Sequence, residues 1–140
     1  MFNTIVLALD GSEASRRAIP IATELAQRDS ARMVLVHVDE RLATAGGPDV
    51  HPDEANIQAA VRKQAEQLSE QGIKTTVEIR DVMVGGPARL IAEVAAEQRA
   101  DLIVVGTRGH SGVSGLLGSV TQRLLHLAHR PVLAIPPPSE

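Results

Sequence analysis

The chain has 140 residues, of which 44% are hydrophobic and 22% charged, and carries a net charge of -3 from 14 basic and 17 acidic side chains. That size and balance suit one globular domain spanning residues 1–140 and give no electrostatic reason to expect nucleic acid or an anionic membrane as partner. Cysteine is absent, which excludes disulfides, cysteine-ligated zinc and thiol catalysis, and Phe2 is the single aromatic, so the core must be aliphatic.

Thr4–Leu9 is an almost continuous apolar run, the pattern of a strand buried on both faces in a parallel sheet. Met1–Asp10 is too short to span a membrane and lacks a basic leader, a signal core and a small-residue cleavage site, so a cytoplasmic location is expected. Asp10–Gly11–Ser12 makes the next turn, with Ser12 placed to cap a helix whose inward stripe is Ala14, Ala18, Ile21 and Leu25. Met33–Val38 reads as a second buried strand, and His37 within it as a satisfied core histidine rather than a ligand. Glu40–Pro52, containing Gly46–Gly47–Pro48, is the longest irregular stretch, either a tolerated surface loop or a mobile lid. Asp53 is placed to cap a second helix with Ile57, Val61, Ala65 and Leu68 inward, and Gly72 to end it in a left-handed residue. In Lys74–Val82, Val77 and Ile79 alternate with Thr76, Glu78 and Arg80, as on a half-wet edge strand. Pro87, after Gly85–Gly86, opens a third helix carrying Leu90, Ile91, Val94 and Ala95. Leu102–Val105 is another fully apolar strand, and Val120, Leu124 and Leu127 mark a fourth helix. Val132–Ile135, between Pro131 and Pro136, is a short second edge strand.

Strand and helix alternate throughout, which predicts a single three-layer α/β domain with helices on both faces. Two edge-type strands give a five-stranded parallel sheet of order 3-2-1-4-5. Its winding reverses between the first and fourth strands, and open α/β sheets bind ligands outside the strand ends at that reversal. Two constellations fall there: the Asp10–Gly11–Ser12 turn, and the segment from Gly106 to Thr121 with five glycines between positions 106 and 118. Glycines let backbone N–H groups approach an anion, and Gly118–Ser119 opens a helix whose N-terminus favours negative charge. The hydroxyls of Ser119 and Thr121, the charge of Arg108 and, more weakly, His110 add groups that suit a phosphate. No G-x-x-x-x-G-K-[ST] loop, no G-x-G-x-x-G turn and no G-x-S-x-G elbow occurs, which argues against P-loop NTPases, dinucleotide-binding domains and serine hydrolases. His126 and His129 share a helix face, but no Cys, Asp or Glu nearby completes a metal set.

Ile5-Val-Leu-Ala-Leu-Asp10-Gly-Ser12, Val34-Leu-Val-His37-Val38, Asp101-Leu-Ile-Val-Val-Gly106-Thr-Arg-Gly109, and Gly118-Ser119-Val-Thr121 followed by Pro131-Val-Leu together resemble the universal stress protein family over essentially the whole length. ATP-binding members of that family carry G-x2-G-x9-G-[ST]. In this chain eight residues, His110 to Leu117, separate Gly109 from Gly118, one fewer than the motif. A lost residue displaces the Gly118–Ser119 donors by up to roughly 3.5 Å unless Gly112 and Gly115 let the loop adjust. The resemblance implies a nucleotide site at Ala8, Asp10, Val38, Val105, Gly106, Arg108, Gly109, Gly118, Ser119, Val120 and Thr121. It implies ATP (or AMP or ADP), accompanied by Mg2+ with Asp10 as a candidate ligand, in a regulatory or stress-response protein. The alternative is a stress interaction module of the same fold that binds no nucleotide. No lysine is placed at the phosphates and no water-activating base stands out, so any ATP hydrolysis should be slow. The uncharged edge strand Val132–Ile135 suits homodimerisation, as the resemblance also implies.

Overall fold

The computed structural model describes residues 1–40, 53–82, 84–107 and 118–136. Along them strands and helices alternate: β1 (Thr4–Ala8), α1 (Glu13–Asp29), β2 (Arg32–Asp39), α2 (Glu54–Glu70), β3 (Thr75–Asp81), α3 (Gly86–Glu97), β4 (Leu102–Gly106), α4 (Ser119–Leu127) and β5 (Val132–Ile135). The strands form one sheet in the order β3-β2-β1-β4-β5, and every pairing is parallel. This is the expected α/β architecture, with β1 and β4 flanking the reversal.

Register follows from burial on both faces. Ile5 stands opposite Met33 on β2 and Leu102 on β4, and Leu7 opposite Leu35 and Val104, so large apolar side chains sit in cross-strand rows. One face carries Ile5, Leu7, Met33, Leu35 and Val104 against α1 and α2; the other carries Val6, Val34, Val36 and Ile103 against α3 and α4. The edge strand β3 is only partly buried along most of its length, which accounts for its alternating composition.

Most helix-boundary expectations hold. The Ser15 N–H donates to Ser12 Oγ at 3.2 Å, completing the cap of α1. Gly72 adopts φ +87, and the Ile73 N–H donates to the Leu68 carbonyl at 3.0 Å, the Schellman arrangement that closes α2. Two details differ. Asp53 precedes α2, but its side chain makes no capping hydrogen bond. Ile21 is not inward: it is 37% exposed, and the buried row of α1 is Ala14, Ala18, Ala22 and Ala26, every fourth residue. Small side chains win that row because α1 lies close against β1 and β4, where a Cβ built on Gly106 would meet the Ala14 carbonyl carbon at 2.8 Å.

Candidate functional site

Where β1 and β4 part, their carboxyl ends open into a cleft of about 280 Å³. Four separate stretches build it: Ala8–Asp10 after β1, Val36 and Val38 with Glu40 from β2, Val105–Thr107 from β4, and Gly118–Thr121 opening α4; Pro87 and Ile91 of α3 form a further wall. Ala8, Asp10, Val38, Val105, Gly106, Gly118, Ser119, Val120 and Thr121, all expected from the sequence, line this one cleft. Arg108, Gly109, His110, Gly112 and Gly115 lie outside the described residues, as do residues 41–52 of the irregular stretch. Leu9, Ser15, Val36, Glu40, Pro87, Ile91 and Thr107 also line the cleft without having been singled out. Val36 was recoverable, since a strand's period of two puts it on the same face as Val38. Pro87 and Ile91 carried no such signal, because their place depends on how α3 packs.

The turn after β1 is closed by two side-chain hydrogen bonds. The Ser12 N–H donates to Asp10 Oδ1 at 2.8 Å, and the Asp10 N–H donates to Ser15 Oγ at 3.0 Å. On the other side, the Gly118 N–H donates to the Thr107 carbonyl, which ties the start of α4 to the end of β4. The Thr121 hydroxyl, 1% exposed, donates to the Gly106 carbonyl at 3.1 Å. Its hydrogen is therefore spent on the backbone, and Thr121 contributes wall rather than a hydroxyl donor. Gly106 likewise owes its missing side chain to α1, since a Cβ there would also stand 2.8 Å from the Ser15 nitrogen.

The cleft is chemically two-sided. Ala8, Val36, Val38, Val105, Ile91 and Pro87 make an apolar wall suited to a flat, weakly polar group. The N-terminus of α4 also lines it. The first N–H groups of a helix lack intrahelical acceptors, and among the described residues no side-chain hydrogen bond caps α4. Among the described lining residues the charged side chains, Asp10 and Glu40, are both acidic. An anion here would be met by the backbone dipoles of the first turn of α4. No group of three or more His, Asp or Glu among the described residues could hold a metal by itself.

A doubly wound parallel sheet with its cleft at the switch point defines a class of open α/β domain. Comparison with known proteins narrows it. The model of the universal stress protein family matches residues 1–136. A universal stress protein of Thermus aquaticus is 35% identical over 138 residues, covering 96% of this chain and 99% of the relative. Universal stress protein A homolog 1 of Coxiella burnetii is 34% identical, with 96% of each chain covered. The chain belongs to the universal stress protein family. Among solved structures, hypothetical protein MJ0577 superposes with a TM-score of 0.83 at 20% identity, covering 100% of this chain and 99% of that one, a likeness of fold. A universal stress protein in complex with cAMP superposes with a TM-score of 0.67 at 28% identity, covering 98% of each chain.

Proposed function

We propose that the cleft binds an adenine nucleotide, ATP in the first place and AMP or ADP next, and that the protein is a nucleotide-responsive regulator of a stress response in the cytoplasm. The observation that carries this reading is convergence: segments far apart in the chain bring an apolar wall and the N-terminus of a helix to one cleft. The base would lie against Val36, Val38 and Ile91, and the phosphates at the N–H groups of Ser119–Thr121. Mg2+ would accompany a triphosphate, held chiefly by phosphate oxygens with Asp10 and Glu40 nearby, because the described lining offers no basic side chain. The cAMP complex of a relative in the same family supports the class of ligand. Without a lysine at the phosphates, hydrolysis should be slow.

Calorimetric titration of nucleotide-free protein with Mg·ATP tests the proposal. A saturable heat is expected, together with a raised melting temperature, since ligand at a hundred times Kd stabilises by ~2.7 kcal/mol. Neither signal at millimolar ATP would favour the second reading, an interaction module without nucleotide. The shortened Gly109–Gly118 spacing is the feature on that side.

A further inference from the structure

Behind the cleft, on the opposite face of the sheet, polar side chains are packed into the core at the same strand ends. His37, Asp39 and Glu54 are 3%, 5% and 3% exposed. His37 Nδ1 lies 2.7 Å from the Leu9 carbonyl oxygen, and Nε2 lies 2.7 Å from Glu54 Oε2. Gln58 Nε2 donates to the same Glu54 oxygen at 2.8 Å and to Asp39 Oδ2 at 3.2 Å.

The hydrogens follow from donor and acceptor chemistry. A carbonyl oxygen only accepts, so Nδ1 carries a hydrogen. The contact between Nε2 and the carboxyl oxygen then requires one further proton, on the ring or on Glu54. Without it two lone pairs would face each other at 2.7 Å, too short a separation for a water to lie between. Stability alone is a poor reason for such a group, because buried ion pairs seldom outperform apolar side chains of the same volume.

Its placement supplies a better reason. Val36 and Val38, on either side of His37, line the cleft, and so does Leu9, whose carbonyl accepts from the ring. Glu54 is the first residue of α2. The pair therefore joins the end of β1, the end of β2 and the first turn of α2 through one imidazole.

We propose that His37 and Glu54 form a positioning latch for the cleft: the hydrogen shared with Glu54 fixes the imidazole, whose Nδ1–H to the Leu9 carbonyl holds the β1 and β2 ends at the spacing the nucleotide needs. Nucleotide occupancy is thereby coupled to the docking of the α2 first turn. This rests on the nucleotide reading of the cleft. Because coupling is reciprocal, ATP must also tighten that turn.

The test combines Mg·ATP affinity, hydrogen exchange and 15N NMR of the His37 ring in the full chain. In Glu54→Gln the amide can donate to Nε2, so Kd should stay within about threefold of the parent. In Glu54→Ala it should rise about tenfold or more, in the usual range of site-to-site coupling. ATP should slow exchange of the Ile57 N–H, which donates to the Asp53 carbonyl at 2.9 Å, in the parent and Glu54→Gln but not in Glu54→Ala. Should Glu54→Ala fail to fold, Gln58→Ala at a half-buried position serves instead, with an expected loss of about fivefold. The latch is overturned if Nδ1 proves to be the unprotonated nitrogen, or if folded Glu54→Ala, or Gln58→Ala in its place, binds ATP as the parent does. A parent chain that takes no ATP would instead remove the nucleotide reading beneath it.

Discussion

Gly106 ends β4 at the rim of the cleft, yet its lack of a side chain serves the helix behind it. A Cβ would stand 2.8 Å from two backbone atoms of α1, and backbone cannot swing aside as the tip of a flexible side chain can. Gly106→Ala should therefore cost ~1–3 kcal/mol by overpacking. That is on the order of 3–12 °C in melting temperature for a domain of this size, measurable by calorimetry without ligand. An unchanged melting temperature would show that α1 can retreat. The density of glycines reads as a demand for close approach by a ligand, because periodicity alone does not place α1 against the end of β4. At Gly106 what approaches is helix α1. His37 was legible as a satisfied core histidine, because an imidazole inside a fully apolar strand must find partners. Its partner Glu54 was not, since a carboxylate in the first turn of a helix ordinarily complements the helix dipole from solvent.

Helix α1 shows what periodicity reveals and what it misses. An inward stripe was evident, but choosing Ile21 over Ala22 assumed that the larger apolar residue turns inward. The sheet leaves little space along that face, so alanines pack there and Ile21 faces outward. The far end of α1 is joined to the start of β1 through Asp29. Its carboxylate accepts from Arg28 Nε at 3.0 Å and from the Phe2 N–H at 2.8 Å. The Arg28 hydrogen bond, then the Phe2 N–H, hold its pKa below the ordinary aspartate value. A carboxyl group depressed in the folded state stabilises above its unfolded pKa, ~3.9, and that contribution disappears as pH falls through the lower folded value. Asp29→Asn should therefore be less stable than the parent at pH ~6, and the gap should narrow on acidification towards pH ~2. Thermal melts across that range check it; a gap independent of pH would mean that the carboxylate charge is irrelevant to the tether.

At the scale of the molecule, strand order was legible because β3 and β5 differ in character from the buried strands. A half-wet alternating strand and a short proline-bounded one belong at edges, and those two edges fix the reversal that opens the cleft. The two edges are unlike. β3 carries Glu78 and Arg80, which discourage strand addition, whereas Val132, Leu133 and Ala134 of β5 are uncharged and only partly buried. We expect the chain to form a homodimer through β5. Light scattering should give twice the 14.8 kDa chain mass, and Leu133→Lys should return the monomer; a particle of single-chain mass at high concentration would contradict it. The walls of the cleft beyond strand ends and glycines were less legible, since Pro87 and Ile91 arrive only once α3 has docked.

Amide chemical-shift mapping with Mg·ATP asks both whether nucleotide binds and where. The expected result is saturable shifts concentrated at Leu9, Asp10, Val38, Gly106 and Ser119–Thr121, with the amino ends of the strands, around Arg32 and Lys74, undisturbed. Shifts confined to Arg32 and Lys74, or none at millimolar ATP, would contradict a nucleotide site at the switch point.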